Sequence, residues 1–298
     1  MSTRFGAIGV FGRANAGKST LVNALVGETV SIVSNRPQTT RRRILGILTE
    51  GDDQLVFCDT PGLHAIRNEL DTFMMTEIEA TAAGLQKALY LVDAADPVAD
   101  EDATYLQTLM PRLRETPLFL VLNKTDRAEP AALDALERQY RETFGFTRVH
   151  RISASERKGL PELLAALKEN LPEGPHAYAA DDYTSLSERE IVEEVIREVL
   201  LHRYFHEVPH AVAVMVEEFK ERENGKTFIS AQLFLEKENH KKIVIGKNGE
   251  GIKTLGRLAR ERLNHLLGRD IFLQLWVKVR PNWRKSGEWV RRLGYQPR

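Results

Sequence analysis

The chain has 298 residues, with 42 Lys and Arg against 42 Asp and Glu, one cysteine, 42% hydrophobic and 28% charged residues. That length suits roughly two domains with ordinary cores, and the lone Cys58 excludes an internal disulfide or a four-cysteine zinc site. No run reaches the ~18 uninterrupted apolar residues of a membrane span, and the opening MSTRFGAIGVFGRANAGKST meets charge and glycine too early for a signal peptide. The expectation is a soluble, cytoplasmic chain.

Apolar runs at 5–11, 54–58, 87–93, 117–122 and 148–152 read as strands. Amphipathic stretches at 18–26, 70–83, 101–110, 131–144 and 160–170 read as the helices between them. Continuous apolar strands separated by helices predict an α/β domain with a mostly parallel sheet covered on both faces. Residues 41–48 alternate in part, and Gly51-Asp52-Asp53 divides them from 54–58, so this pair is expected as an antiparallel hairpin on the sheet edge. Pro172, Gly174 and Pro175 then break the periodicity. The expected limits are a first domain at 1–172, a linker at 173–184 and a second domain at 185–298.

Ser187 and Glu190 have capping-box spacing and open a helix over 188–204. Residues 210–218 and 227–236 alternate as strands, and 241–245 leads through a glycine-rich turn into a helix over 250–266. A strand at 271–279 precedes a Trp- and Arg-rich tail. The second domain is therefore α+β. The balanced charge hides an asymmetry: residues 239–298 hold 15 basic and 4 acidic side chains. A basic block of that size points to a polyanionic partner, although a solvated basic helix face would show the same count.

Gly12-Arg13-Ala14-Asn15-Ala16-Gly17-Lys18-Ser19 follows a strand and opens a helix, as a phosphate-binding loop requires. Its backbone N–H groups would cradle phosphates, Lys18 would reach the β and γ phosphates, and the Ser19 hydroxyl would bind Mg²⁺. Thr20 continues the site at the helix N-terminus. Asp59-Thr60-Pro61-Gly62 leaves the next strand, with Asp59 placed for the Mg²⁺ hydration shell and the Gly62 amide for a γ-phosphate. Asn123-Lys124-Thr125-Asp126 ends the strand at 117–122, on the edge where such sheets bind ligands. A carboxylate at Asp126 accepts from guanine N1–H and the 2-amino group, whereas adenine would leave it unpaired, a penalty of about 1–3 kcal/mol. Ser153-Ala154 can contact guanine O6 through backbone N–H. The set predicts GTP and GDP rather than ATP.

These segments resemble the motifs of the translation-factor-related GTPases. The resemblance implies a further motif in Pro37-Gln38-Thr39-Thr40-Arg41, with Thr40 joining Mg²⁺ when GTP is bound; Thr39 is the competing register. Leu63 stands where Ras-like enzymes carry a water-orienting glutamine, so slow unassisted hydrolysis is expected and no catalytic residue is assigned. Asn15 resembles the asparagine of potassium-activated GTPases, which would add K⁺ to the cofactors; a plain loop asparagine is the alternative.

Ile243-Val244-Ile245-Gly246-Lys247-Asn248-Gly249-Glu250-Gly251-Ile252-Lys253 resembles the signature of KH domains, in which a GXXG loop clamps about four nucleotides. The α-β-β-α-α-β order is similar to the type II KH fold. Ile245, Gly246, Lys247, Asn248, Gly249, Gly251, Ile252 and Lys253 are the candidate RNA contacts, with Arg257, Arg260 and Arg262 as flanking charge. Trp276, Trp283 and Trp289 could stack on bases, but Trp276, inside an alternating strand, is expected to be buried.

A GTPase domain followed by a type II KH domain resembles the bacterial Era GTPase family over essentially the whole chain. GRANAGKSTL, VSIVSNRPQTTRRRILGI, DTPGLH, NKTD and LWVKVRPNWR all carry the likeness, with Ala14 and Ala16 where Pro and Val are usual. The resemblance implies binding of the 3′ end of 16S rRNA and a role in 30S ribosomal subunit assembly. A monomer is expected, and the basic, Trp-containing tail would allow peripheral association with the inner face of the cell membrane. Two other readings stay open: a metabolic P-loop kinase, which the NKTD segment disfavours, and a constitutive RNA-binding scaffold with a vestigial nucleotide site.

Overall fold

The computed structural model describes residues 2–34, 36, 38–113, 115–222 and 225–296. The chain divides into two compact units, residues 1–66 with 74–185, and residues 67–73 with 186–298.

The first unit is a six-stranded sheet in the order β2-β3-β1-β4-β5-β6. In chain order its elements are β1 (Arg4–Gly12), α1 (Lys18–Val26), β2 (Ile44–Glu50), β3 (Asp53–Asp59), α2 (Glu69–Thr81), β4 (Lys87–Asp93), α3 (Ala99–Leu109), β5 (Leu118–Asn123), α4 (Pro130–Phe144), β6 (Val149–Arg151) and α5 (Leu160–Lys168). All neighbours are parallel except β2 with β3, which pair antiparallel from Ile44–Asp59 to Glu50–Asp53. Helices cover both faces, so two apolar clusters form, one around Ile8, Leu21, Phe57 and Val121, the other around Phe11, Tyr90, Leu120 and Tyr140. β1, at the centre of the order, is therefore buried on both sides and reads as an unbroken apolar run.

Residues 173–184 do not behave as free linker. Gly174 N–H donates to Thr3 O, the Gln54 side chain holds Ala177 and Tyr178, and Ile47 N–H donates to Tyr183 O. The segment is thus pinned along the hairpin edge of the first unit.

The second unit continues with α6 (Glu188–Arg203), β7 (Ala213–Glu221), β8 (Thr227–Leu235), α7 (Glu238–Ile245), α8 (Glu250–Leu267), β9 (Ile271–Val279) and α9 (Gly287–Arg292). Both halves of the capping box at Ser187 and Glu190 are formed. The sheet runs β7-β8-β9, antiparallel then parallel. β7 starts three residues later than its alternation suggests. A bulge between Val216 and Glu218 breaks the period-two pattern from which it was read. One face of the sheet packs Ile229, Ala231 and Leu233 against Val192, Ile196, Leu255 and Leu263 of the helices. The division between the units falls inside α2, with residues 69–73 counted here, and Tyr295 stacks on Trp283.

Candidate functional site

The strand-to-helix turn after β1 is built for close approach. Asn15 and Gly17 both take positive φ, and an open cleft lies beside it, bounded by Asn15, Lys18, Ser19, Thr20, Thr40 and Lys124 among others. Lys18 is buried, its ammonium donating to the Gly12 and Arg13 carbonyls at 2.9 and 2.8 Å. Burial lowers its pKa to about 8, with the Asp59 charge opposing the shift.

Three oxygen-bearing side chains meet below the loop. Ser19 Oγ donates to Asp59 Oδ2 at 2.7 Å and lies 3.0 Å from Thr40 Oγ1, which in turn is 3.4 Å from Asp59 Oδ2. Asp59 Oδ1 is buried without a hydrogen-bond partner among the described residues. Burial pushes the Asp59 pKa up, against the Ser19 hydrogen bond and the Lys18 charge. An orphaned carboxylate oxygen beside two hydroxyls is a donor set for a hard divalent cation. With one carboxylate, the ion would need phosphate oxygens and water to complete its shell. Thr39 points elsewhere, donating to Arg36 O at 2.6 Å, and Pro37 of the same motif lies outside the described residues.

The loop after Asp59 closes on the phosphate loop through its backbone. Leu63 N–H donates to Gly12 O at 3.2 Å. Gly62 lies so close to Ala14 that a Cβ there would come within 2.7 Å of the Ala14 Cα. Leu63 itself is buried in the apolar cluster of Phe11 and Tyr90. Its side chain packs rather than facing a water, and His64 is half-buried with Nδ1 2.7 Å from Gly62 O.

The guanine-type segments are tied to the phosphate loop. Asn123 Nδ2 donates to Ala16 O at 2.9 Å, and Asn123 Oδ1 accepts from Ala154 N–H at 3.0 Å, so one side chain spans three segments. Lys124 pairs with Asp93 at 2.5 Å. Thr125 holds Ile152 O through both its amide and its hydroxyl. Ser153 and Ala154 are buried, and Asp126 is exposed.

Sequence reasoning missed what holds Arg13. Its guanidinium Nε lies 3.3 Å from Asp102 Oδ1, and the fully buried Asp102 carboxylate also accepts from the hydroxyls of Tyr90 and Tyr140 at 2.7 and 2.6 Å.

In the second unit, α7 ends at Gly246, the turn Lys247–Gly249 follows, and α8 starts at Glu250. Gly246 has φ +72°, and a Cβ on it would stand 2.8 Å from Gly251 N, so only glycine fits. Lys247, Asn248 and Lys253 are exposed, while Ile245 and Ile252 are half-buried beside them and Gly251 is buried. Two of the three arginines expected to add charge are already occupied: Arg257 pairs with Glu261 and Arg262 with Glu198. Lys247 and Lys253 remain without an ion pair among the described residues.

The tryptophan expectation is reversed. Trp283 is fully buried, its indole N–H donating to Ala211 O, whereas Trp276 is 53% exposed. β9 is an edge strand, and residue 276 falls on its outward row.

Comparison with known proteins agrees with both halves. The model of a family described as "50S ribosome-binding GTPase" matches residues 7–124, and that of the KH domain matches residues 207–284. The chain is 40% identical over 296 residues to GTPase Era of Carboxydothermus hydrogenoformans, covering 99% of each. It is 41% identical over 296 residues to GTPase Era of Caldanaerobacter subterraneus, again covering 99% of each. A crystal structure of Era in complex with MgGDPNP and nucleotides 1506–1542 of 16S ribosomal RNA superposes with a TM-score of 0.94 at 33% identity. It covers 99% of this chain and 100% of that one. An Aquifex aeolicus Era variant bound to GDP·AlF₄⁻ gives the same TM-score, identity and coverage.

Proposed function

The chain belongs to the Era family of GTPases, and from that membership we propose a GTP-driven switch whose second unit holds the 3′ end of 16S rRNA during 30S subunit assembly. The observation that carries the reading is the meeting of Ser19, Thr40 and Asp59 beneath the phosphate loop. Those three residues would hold Mg²⁺, which, when bound, neutralises phosphate charge. The loop amides and Lys18 hold the phosphates, and Asp126 with Ala154 reads the guanine edge. Asn123 keeps the base-reading and phosphate-holding segments in register. Since Leu63 is packed away in the apolar cluster, it does not supply the glutamine's role, and unstimulated turnover is expected at roughly 10⁻⁴ to 10⁻² s⁻¹.

Gly246–Gly249 and Lys253 would grip unpaired RNA by its backbone. This assignment is supported by the exposed, unpaired Lys247 and Lys253 and by the RNA held in the Era crystal structure. In such a switch the nucleotide and RNA sites are coupled. Linkage then requires RNA to favour the GTP form by the factor that GTP favours RNA. The resemblance supports a cytoplasmic monomer with peripheral membrane association; no helix among the described residues is long and apolar enough to cross a membrane.

The test is RNA affinity measured in GDP and in a non-hydrolysable GTP analogue. Tighter binding with the analogue is expected. Equal affinities would overturn the switch, and an inability to bind guanine nucleotides at all would leave only an RNA-binding scaffold.

A further inference from the structure

A GXXG loop clamps about four nucleotides, yet the RNA in the Era complex spans 37, nucleotides 1506–1542. A longer RNA needs further surface, and β9 offers one. Alternate residues of a strand face opposite sides. Ile271, Leu273, Leu275 and Val277 join the apolar core, which turns Phe272, Gln274, Trp276 and Lys278 outward. Phe272 and Trp276 are 52% and 53% exposed, about 13 Å apart along the strand.

This row is organised. Phe272 sits opposite Phe228 of β8, and their rings stack at 5.9 Å and 18°. The Arg222 guanidinium lies over both, 4.7 Å from the Phe228 centroid and 5.7 Å from that of Phe272. Neither Arg222 nor Lys278 has an ion pair among the described residues, while nearby acids are engaged: Glu218 by Lys220, Glu221 by Arg269 and Asp270 by Lys226. At the other end of the sheet Trp289 covers Phe234, so the tail leaves this aromatic row open.

We propose that Phe272 and Trp276, with Phe228 and Arg222, form a second RNA contact that stacks unpaired bases flanking the segment held at Gly246–Gly249. Flat rings accept any base face, and Arg222 and Lys278 answer the phosphates that accompany it. An aliphatic protein partner would desolvate those cations without pairing them. The inference deepens the reading of the second unit as an RNA binder.

The test uses the full chain and two RNAs: the 37-nucleotide sequence 1506–1542, and a short RNA of its last ten or so nucleotides. A Phe272→Ser, Trp276→Ser double variant is expected to lose about 10–100-fold in affinity for the long RNA and to keep its affinity for the short one. Trp276→Phe, which retains a ring, restores most of the loss. Because both residues are exposed, the melting midpoint should stay within about 2 °C of the parent. Trp276 fluorescence should be quenched by the long RNA, a signal absent in Trp276→Phe. Unchanged affinity for the long RNA in the double variant overturns the proposal, as does equal loss for both RNAs. So does a parent chain that dimerises through this row while the variant does not. Failure of the parent to bind either RNA would instead refute RNA binding by the unit itself.

Discussion

Arg13 of the phosphate loop is anchored by Asp102 of α3 at 3.3 Å, and the carboxylate that anchors it is itself fixed by two buried phenols, Tyr90 and Tyr140. Burial first, and Asp102 next, push both phenol pKa values far above the ordinary range, so both remain donors. The Arg13 carbonyl meanwhile receives the Lys18 ammonium. Asp102→Asn places amide hydrogens against donors and leaves Arg13 only the exposed Glu101, at 3.5 Å, as counter-charge. The expected result is a stability loss of about 3 kcal/mol and GDP affinity reduced about tenfold, read by thermal melts with and without nucleotide. A variant that melts lower but binds GDP normally would restrict Asp102 to folding.

Lys18 sets a pH dependence. Its folded pKa of about 8 lies below the unfolded 10.5, so the folded chain is proton-poor between those values. The cost of burying the charge is fully present below pH 8 and is relieved as pH rises towards 10.5. Phosphates restore the charge, so nucleotide binding takes up a proton above pH 8. GDP affinity should then fall by about tenfold per pH unit from 8 to 10. Calorimetry in buffers of different ionisation enthalpy would detect the proton, and a flat affinity profile would contradict it.

Leu63→Ala separates packing from chemistry. The side chain is buried among Phe11, Ile78 and Tyr90, so about 2–4 kcal/mol of stability should be lost. Turnover per folded molecule should change less than about threefold, measured by single-turnover GTP hydrolysis below the melting transition.

Gly246→Ala should cost RNA affinity at least about tenfold, because a Cβ would meet Gly251 N at 2.8 Å and displace the turn. GDP affinity should not move. Lys247→Ala and Lys253→Ala should each lower the slope of log affinity against log salt by about 0.7, whereas Arg257→Ala, whose charge is spent on Glu261, should leave the slope nearly unchanged.

Asn15, in a positive-φ position lining the cleft, predicts faster GTP turnover in KCl than in NaCl, with the difference abolished in Asn15→Ala. Equal rates in the two salts for the parent chain would remove the cation from the site.

The elements that could be read from the chain are those whose signal is local. β1, β4 and β5 are continuous apolar runs, and the Gly12–Ser19 spacing fixes its own turn. The Ser187 capping box places the start of α6. Long-range pairing is invisible in the same way that it is structurally decisive. Asp100, Glu101 and Asp102 are adjacent in the first turn of α3, yet only Asp102 is buried, against the two tyrosines. Arg257, Arg260 and Arg262 are alike in sequence, and only the position of Glu198 and Glu261 separates the paired from the unpaired. Trp276 and Trp283 exchange their expected roles because an edge strand has an outward row that period-two alternation alone cannot orient. Thr39 and Thr40 are equivalent in sequence, and only the folded chain brings the Thr40 hydroxyl to Ser19.

The segment from Gly174 to Thr184 has a practical bearing on anyone trimming this molecule. β2 would otherwise end the large sheet with bare amides and carbonyls, and Tyr183 and Thr184 occupy those of Gly46 and Ile47. A nucleotide-binding fragment cut at residue 172 would strip that covering from a hydrophobic strand and invite fibrous or edge-to-edge association. Ending the fragment after Ser185 keeps the sheet margin sealed.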